Sequence, residues 1–308
     1  MTKTILLFPG QGSQQVGMGK SAAEVPEAAG LLRQASDILG MDMKQLIWEG
    51  PETELKKTEN TQPALFLVSM MAMECLKLEG VSFDFTAGHS LGEYSALCAA
   101  GAYSFEDGLA LVRLRGELMA KAGSERPGAM TAVIGMGADE LGEAVKEAAA
   151  AGVVVVANYN SPSQIVISGE EAAVRKAEEL ARDAGAKKVV RLPVSGAFHS
   201  PLMGFALPGL EKGLEDTTFA DPAVPVITNV DAGPCTQAGE LKASLLRQLT
   251  SPVKWVDSMR KAVELGCGTG LEVGSGRVLM GLVRGISREL KVLPVESPED
   301  VKKVKEAV

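Results

Sequence analysis

Phe83-Asp84-Phe85-Thr86-Ala87-Gly88-His89-Ser90-Leu91-Gly92-Glu93-Tyr94-Ser95-Ala96-Leu97-Cys98-Ala99-Ala100 is the stretch that decides the fold. Phe83 to Ala87 reads as a strand and Leu91 to Ala100, closed by Gly101, as a helix. Between them stands a GxSxG motif, Gly88-His89-Ser90-Leu91-Gly92. Chance matches are cheap in a chain with 34 glycines, so the strand–turn–helix setting is what makes this one informative. A sharp turn would hold Ser90 in a strained conformation, with flanking glycines lacking the Cβ atoms that would clash. It would also stand Ser90 at a helix N-terminus, where free N–H groups favour a developing oxyanion.

Toward the N-terminus, Thr4 to Phe8 reads as a buried strand entering the turn Pro9-Gly10-Gln11-Gly12-Ser13-Gln14. Thr61-Gln62-Pro63 reads as the start of a long helix. Strand followed by helix, repeated, points to a parallel sheet of the α/β class. The middle of the chain changes rhythm. Strands at 129–134, 153–157, 164–168 and 187–192 alternate with helices at 138–151 and 170–184, and Tyr159-Asn160-Ser161-Pro162 forms a turn. That order, β-α-β-β-α-β, is a ferredoxin-like unit inserted between Gly123 and about Ser195, with Gly123–Gly128 as a hinge. Val226 to Asn229 and Thr269 to Val273 read as strands of the large domain, and Ser297 as the N-cap of a last helix.

Composition narrows the function. The 308 residues include 31 basic and 39 acidic side chains, net −8, which argues against a nucleic-acid partner. At 46% hydrophobic and 23% charged, the chain is globular rather than disordered. Only two histidines, and four cysteines without a CxxC pair, leave no metal-ligand spacing. Scattered cysteines read as reduced and cytoplasmic. The apolar run Ile5–Phe8 is too short for a signal-peptide core, and Ala64–Met73 too short to span a bilayer. The expectation is a cytoplasmic monomer with no metal, no cofactor, no nucleic acid and no membrane partner.

A serine hydroxyl needs a base. His89 is locked beside Ser90 with its side chain aimed elsewhere, which suits a structural role at the turn. By elimination the base is His199, in Gly196-Ala197-Phe198-His199-Ser200-Pro201. On the helix opened by Ser104, Leu111, Val112, Leu118 and Met119 form an apolar stripe, and Arg115 falls in its middle. A guanidinium there needs an anion. Two readings stand level: an ion pair with an internal carboxylate, or a fork held ready for a substrate carboxylate. Gly266-Cys267-Gly268-Thr269-Gly270 and Gly274-Ser275-Gly276 complete no nucleotide-binding motif.

Taken together, these pieces resemble the malonyl-CoA:acyl carrier protein transacylase family of bacterial fatty acid synthesis. The residues that carry the resemblance are Phe8 to Gln14, Thr61-Gln62-Pro63-Ala64, Gly88 to Tyr94, Gly196 to Ser200, Gln248 before Ser251-Pro252-Val253, and Glu272 to Gly276. They run nearly end to end in the family's order. The resemblance implies an α/β hydrolase-like, parallel-sheet catalytic part (1–124 and 196–308) carrying an inserted ferredoxin-like small subdomain (125–195). It implies Ser90 as the acylated nucleophile, His199 as its base, and the backbone N–H groups of Gln11 and Leu91 as the oxyanion hole. Gln248 would orient His199 through its main-chain carbonyl. Arg115 would hold the malonyl carboxylate, Phe198 would favour malonyl over methylmalonyl, and Asn160, Met119 and Met130 would line the pocket. The implied substrates are malonyl-CoA and phosphopantetheinylated acyl carrier protein, used in a ping-pong reaction. For the acidic carrier, either Arg277, Arg284, Arg288 and Lys291 or Lys187, Lys188 and Arg191 offer a basic patch, unless these are only solvated faces.

Three other readings remain. A serine thioesterase or esterase shares GxSxG, but no marked Asp and no HGGG-type loop accompany it. A non-catalytic carrier-binding scaffold would not need Ser90 and His199 together. An acyltransferase serving a polyketide synthase in trans would have the same chemistry.

Overall fold

A computed structural model describes residues 2–194 and 196–307, so the expected limit of the insert at Ser195 lies outside the described residues. Among those residues the strands are β1 (Lys3–Phe8), β2 (Phe85–Gly88), β3 (Ala129–Ile134), β4 (Val154–Ser161), β5 (Gln164–Gly169), β6 (Lys188–Arg191), β7 (Val226–Ile227), β8 (Pro234–Cys235), β9 (Cys267–Val273) and β10 (Lys291–Val295). Six of them form one sheet in the order β10-β9-β1-β2-β7-β8, parallel except for β8 at its edge. The other four form an antiparallel sheet in the order β4-β5-β3-β6, the ferredoxin-like arrangement. Central β1 has Ile5, Leu6, Leu7 and Phe8 fully buried, as a parallel strand covered on both faces requires.

Three local expectations change. The helix expected from Thr61 begins earlier and spans Thr58–Leu78, with Pro63 inside it. Proline lacks the N–H that would bond the Glu59 carbonyl, and Arg113 Nη1 donates to that oxygen instead, at 3.0 Å. The Phe105–Glu125 helix runs through Gly123 and Ser124, so of the stretch expected as a hinge only Arg126–Gly128 lies between that helix and β3. Finally, β4 continues through Tyr159, Asn160 and Ser161, which were expected to form a turn. Two register shifts in its pairing with β5 accommodate this extension.

These two long helices pack tightly on each other. A Cβ on Gly116 would stand 2.8 Å from Glu59 Cα, so only glycine permits that approach. The approach brings Gln62 of the first helix within hydrogen-bond reach of Arg115 on the second.

Candidate active site

β2 ends at Gly88 and the Gly92–Ala99 helix begins four residues later, leaving Ser90 on the turn with φ 51°. A Cβ on Gly88 would lie 1.9 Å from the Gly92 carbonyl, and one on Gly92 would lie 2.0 Å from Phe8 O. The turn therefore closes only with glycine at both places. Among the described residues the non-glycine positions with positive φ are Ser90, His199 and Ala232. Two of these three form one contact: Ser90 Oγ lies 2.7 Å from His199 Nε2. Backbone strain is concentrated where the side chains meet.

His199 is buried, and its Nδ1 lies 2.9 Å from the main-chain carbonyl of Gln248. A carbonyl only accepts, so Nδ1 carries the proton and Nε2 is left to accept from the serine hydroxyl. Among the described residues no carboxylate performs this orienting task. Burial first, and the positive charge of Arg115 second, push the His199 imidazole down to about 3. The unfolded chain thus binds a proton at this residue below the ordinary histidine value of about 6.5, while the folded chain resists it. Stability from this residue is complete above that value and is lost as pH falls from there toward 3. Melting of wild type and His199→Gln across pH 7 to 4 should show wild type losing Tm relative to the variant by more than roughly 2 °C. A constant gap would contradict the buried neutral imidazole.

Arg115 is only 2% exposed. Nη1 donates to Gln62 Oε1 at 2.9 Å, and Nη2 donates to Gln248 Oε1 at 3.0 Å and to Ser90 Oγ at 3.2 Å. The Tyr94 ring lies beneath it at 5.3 Å. All three acceptors are neutral, and among the described residues no carboxylate forms a salt bridge with it. Of the two readings of Arg115, the direct internal ion pair is therefore not formed. Desolvation lowers its pKa, as expected for a buried cation short of a counter-ion. The nearest carboxyl in the network is Glu93, which receives Gln248 Nε2 at 2.8 Å. Burial pushes Glu93 up to about 7, against the hydrogen bonds from Gln248 and Asn229 that pull it down.

A cavity of ≈140 Å³ opens onto Ser90, His199 and Arg115, with Gln11, Leu91 and Phe198 also in its wall. Met119, Met130 and Asn160 line it as well, so every expected site residue borders it except Gln248, which stands behind His199. Asn158 and Asn160 face it because residues two apart share a face of β4, which is why the extension of that strand matters. His89 Nε2 lies 2.7 Å from Asn160 Oδ1 and its ring packs edge-on against Trp255. Its structural bond therefore reaches across to the smaller sheet. The backbone N–H groups of Gln11 and Leu91 have no acceptor among the described residues. Larger clefts exist, such as one of ≈470 Å³ by Tyr159, Lys254 and Arg260, but they lack this pair.

Gln62, Asn158, Asn229, Glu93 and the side chain of Gln248 escaped the sequence reading of the site. Asn229 Oδ1 accepts the Ser90 N–H at 2.7 Å and its Nδ2 donates to Gly88 O at 2.6 Å, bracing both sides of the turn. Gln62 lay inside a quoted motif, and Asn229 was the last residue of a predicted strand. Of the two basic patches, Arg191 is tied up by Glu171 at 2.7 Å and by Glu178.

A parallel α/β sheet with a serine–histidine pair at a strand-to-helix turn defines the class: α/β proteins built around a GxSxG turn, with a carbonyl in place of the acid. Within that class the chain belongs to the acyl transferase domain family, which matches residues 5–303. It is 46% identical over 303 residues to the malonyl CoA-acyl carrier protein transacylase of Bacillus subtilis strain 168, covering 98% of this chain and 96% of that one. The solved malonyl CoA-acyl carrier protein transacylase of Coxiella burnetii superposes with TM-score 0.96 at 37% identity, over 99% of this chain and 97% of that one. A malonyl-transacylase solved in complex with its type II polyketide synthase acyl-carrier protein matches equally, with TM-score 0.96, 39% identity and 100% of both chains covered.

Proposed function

We propose that this chain transfers malonyl from malonyl-CoA to the phosphopantetheine thiol of acyl carrier protein through a malonyl-Ser90 intermediate, supplying fatty acid biosynthesis. The observation that carries the reading is the meeting of two groups at one hydroxyl: His199 Nε2 at 2.7 Å and Arg115 Nη2 at 3.2 Å. His199 takes the Oγ proton as Ser90 attacks the thioester carbonyl. The N–H groups of Gln11 and Leu91 receive the oxyanion. The thioester C–S bond breaks and CoA leaves with the proton from His199. The carrier thiol then gives its proton to His199 and attacks the acyl-serine, and Ser90 is released with a proton returned. Arg115 holds the distal carboxylate, with Phe198, Met119, Met130 and Asn160 shaping the space around it. Gln248 orients His199.

We read residues 1–124 and 196–308 as the catalytic part and 125–195 as an inserted subdomain, with the site between the two sheets. The scattered cysteines support a cytoplasmic setting. Among the described residues no helix is long and apolar enough to cross a membrane. A monomer suffices for the reaction, since every group named comes from one chain. The acyltransferase of a polyketide synthase is a second reading, favoured by the equal likeness to a polyketide-associated relative. Growth and lipid synthesis of a deletion strain separate the two.

Intact-protein mass spectrometry after brief incubation with malonyl-CoA tests the reading. A malonyl adduct should accumulate and discharge onto added holo acyl carrier protein. Steady release of free malonate and CoA without transfer would favour the thioesterase reading.

A further inference from the structure

We propose that Glu93 is a positioning residue that sets both the Ser90 turn and the Arg115 guanidinium, acting through the side-chain amide of Gln248 and the backbone of Asn229. The inference rests on the malonyl-transfer reading. Glu93 is fully buried in the first turn of the Gly92–Ala99 helix, and no step of the reaction uses it. Its Oε2 accepts the Asn229 N–H at 2.9 Å and Gln248 Nε2 at 2.8 Å. Those partners in turn hold the nucleophile. The Asn229 side chain takes the Ser90 N–H at 2.7 Å, and Gln248 Nε2 reaches Ser90 O at 3.0 Å. Both backbone polar groups of Ser90 thus trace back to one carboxyl oxygen.

The amide of Gln248 has one donor end and one acceptor end. By claiming the donor end, Glu93 obliges Oε1 to face Arg115, whose Nη2 it receives at 3.0 Å. The relay from carboxyl to amide to guanidinium has only one favourable polarity. Glu93 Oε1 has no partner among the described residues, a costly thing to bury for packing alone.

The test compares malonylation and acetylation of Ser90 in wild type, Glu93→Ala, Glu93→Gln, Gln248→Leu and the Glu93→Ala/Gln248→Leu double variant, alongside thermal melts. Glu93→Ala should lower kcat for malonylation on the order of 10²-fold and narrow the malonyl-over-acetyl ratio about tenfold. Glu93→Gln keeps an acceptor oxygen and should recover to within about tenfold of wild type. Gln248→Leu keeps the carbonyl on His199, so the double variant should be no worse than the poorer single one. A folded Glu93→Ala with the wild-type acyl ratio, or fully additive effects, overturns the proposal. Should Glu93→Ala not fold, a wild-type acyl ratio in Gln248→Leu overturns it equally. Wild type that takes up no malonyl group would instead sink the malonyl-transfer reading itself.

Discussion

Ser90→Ala is expected to abolish the malonyl adduct and to lower transfer to acyl carrier protein by at least about 10⁴-fold. The hydroxyl is the group whose proton His199 Nε2 is placed to accept, and Gln11 and Leu91 border the same cavity. Where a nucleophile works as a unit with its base, losing either member removes nearly the whole contribution of the pair. His199→Ala should therefore cost about as much as Ser90→Ala, and the double variant little more. The substitution removes one oxygen from a site braced by Asn229, Gln248 and Glu93, so the fold should survive. Quantifying adducts by intact mass, with wild type and both variants side by side, settles the matter. A malonyl adduct of wild-type yield in Ser90→Ala would place the nucleophile elsewhere.

Arg115→Ala is expected to collapse the preference for malonyl-CoA over acetyl-CoA by on the order of 10³-fold, or about 4 kcal/mol of differential transition-state binding. The guanidinium is buried against neutral acceptors only, so an arriving carboxylate is its first full counter-charge. An acetyl group leaves that need unmet. The loss should fall mainly on malonyl, because the acetyl reaction makes no use of the distal contact. Competition between the two thioesters, read as the ratio of adducts on Ser90, measures it directly. An unchanged ratio would show that the pocket walls, Phe198 and the two methionines, carry selectivity instead. Gln62, which holds the opposite edge of the guanidinium, gives a graded version of the same experiment: Gln62→Leu should narrow the ratio without erasing it.

Much of this was legible in the order of residues. A GxSxG between an apolar strand and a helix, Ser104 placed to cap a helix, and an arginine interrupting an apolar stripe are all local signals. Each rests on periodicity or on the steric demands of a turn. The Ser104 cap forms, with its hydroxyl accepting Asp107 N–H at 3.1 Å, and Arg115 is buried where the stripe placed it. The insert was legible for the same reason: its strands and helices each show their own period.

What escaped the sequence was everything that depends on approach between distant segments. Tyr159 to Ser161 looked like a turn because Asn, Ser and Pro favour turns, yet pairing with β5 keeps them extended and aims Asn158 and Asn160 at the cavity. Pro63 looked like a helix start because the chain alone offers no substitute for its missing bond. Arg113, fifty residues on, provides one. The choice between an internal ion pair and a waiting fork at Arg115 was level in the sequence. Tertiary packing removed the direct ion pair by surrounding the guanidinium with two glutamine oxygens and a serine, and by holding the carboxyl of Glu93 one amide away. Sequence alone placed Ser90 on the turn, the cation in its apolar stripe and the strands in a parallel sheet, because helical period, strand period and turn sterics are properties of neighbours. Which groups face which across the site was decided by the folded chain, because hydrogen-bond polarity at Gln248 and Asn229 depends on partners that only tertiary structure assembles.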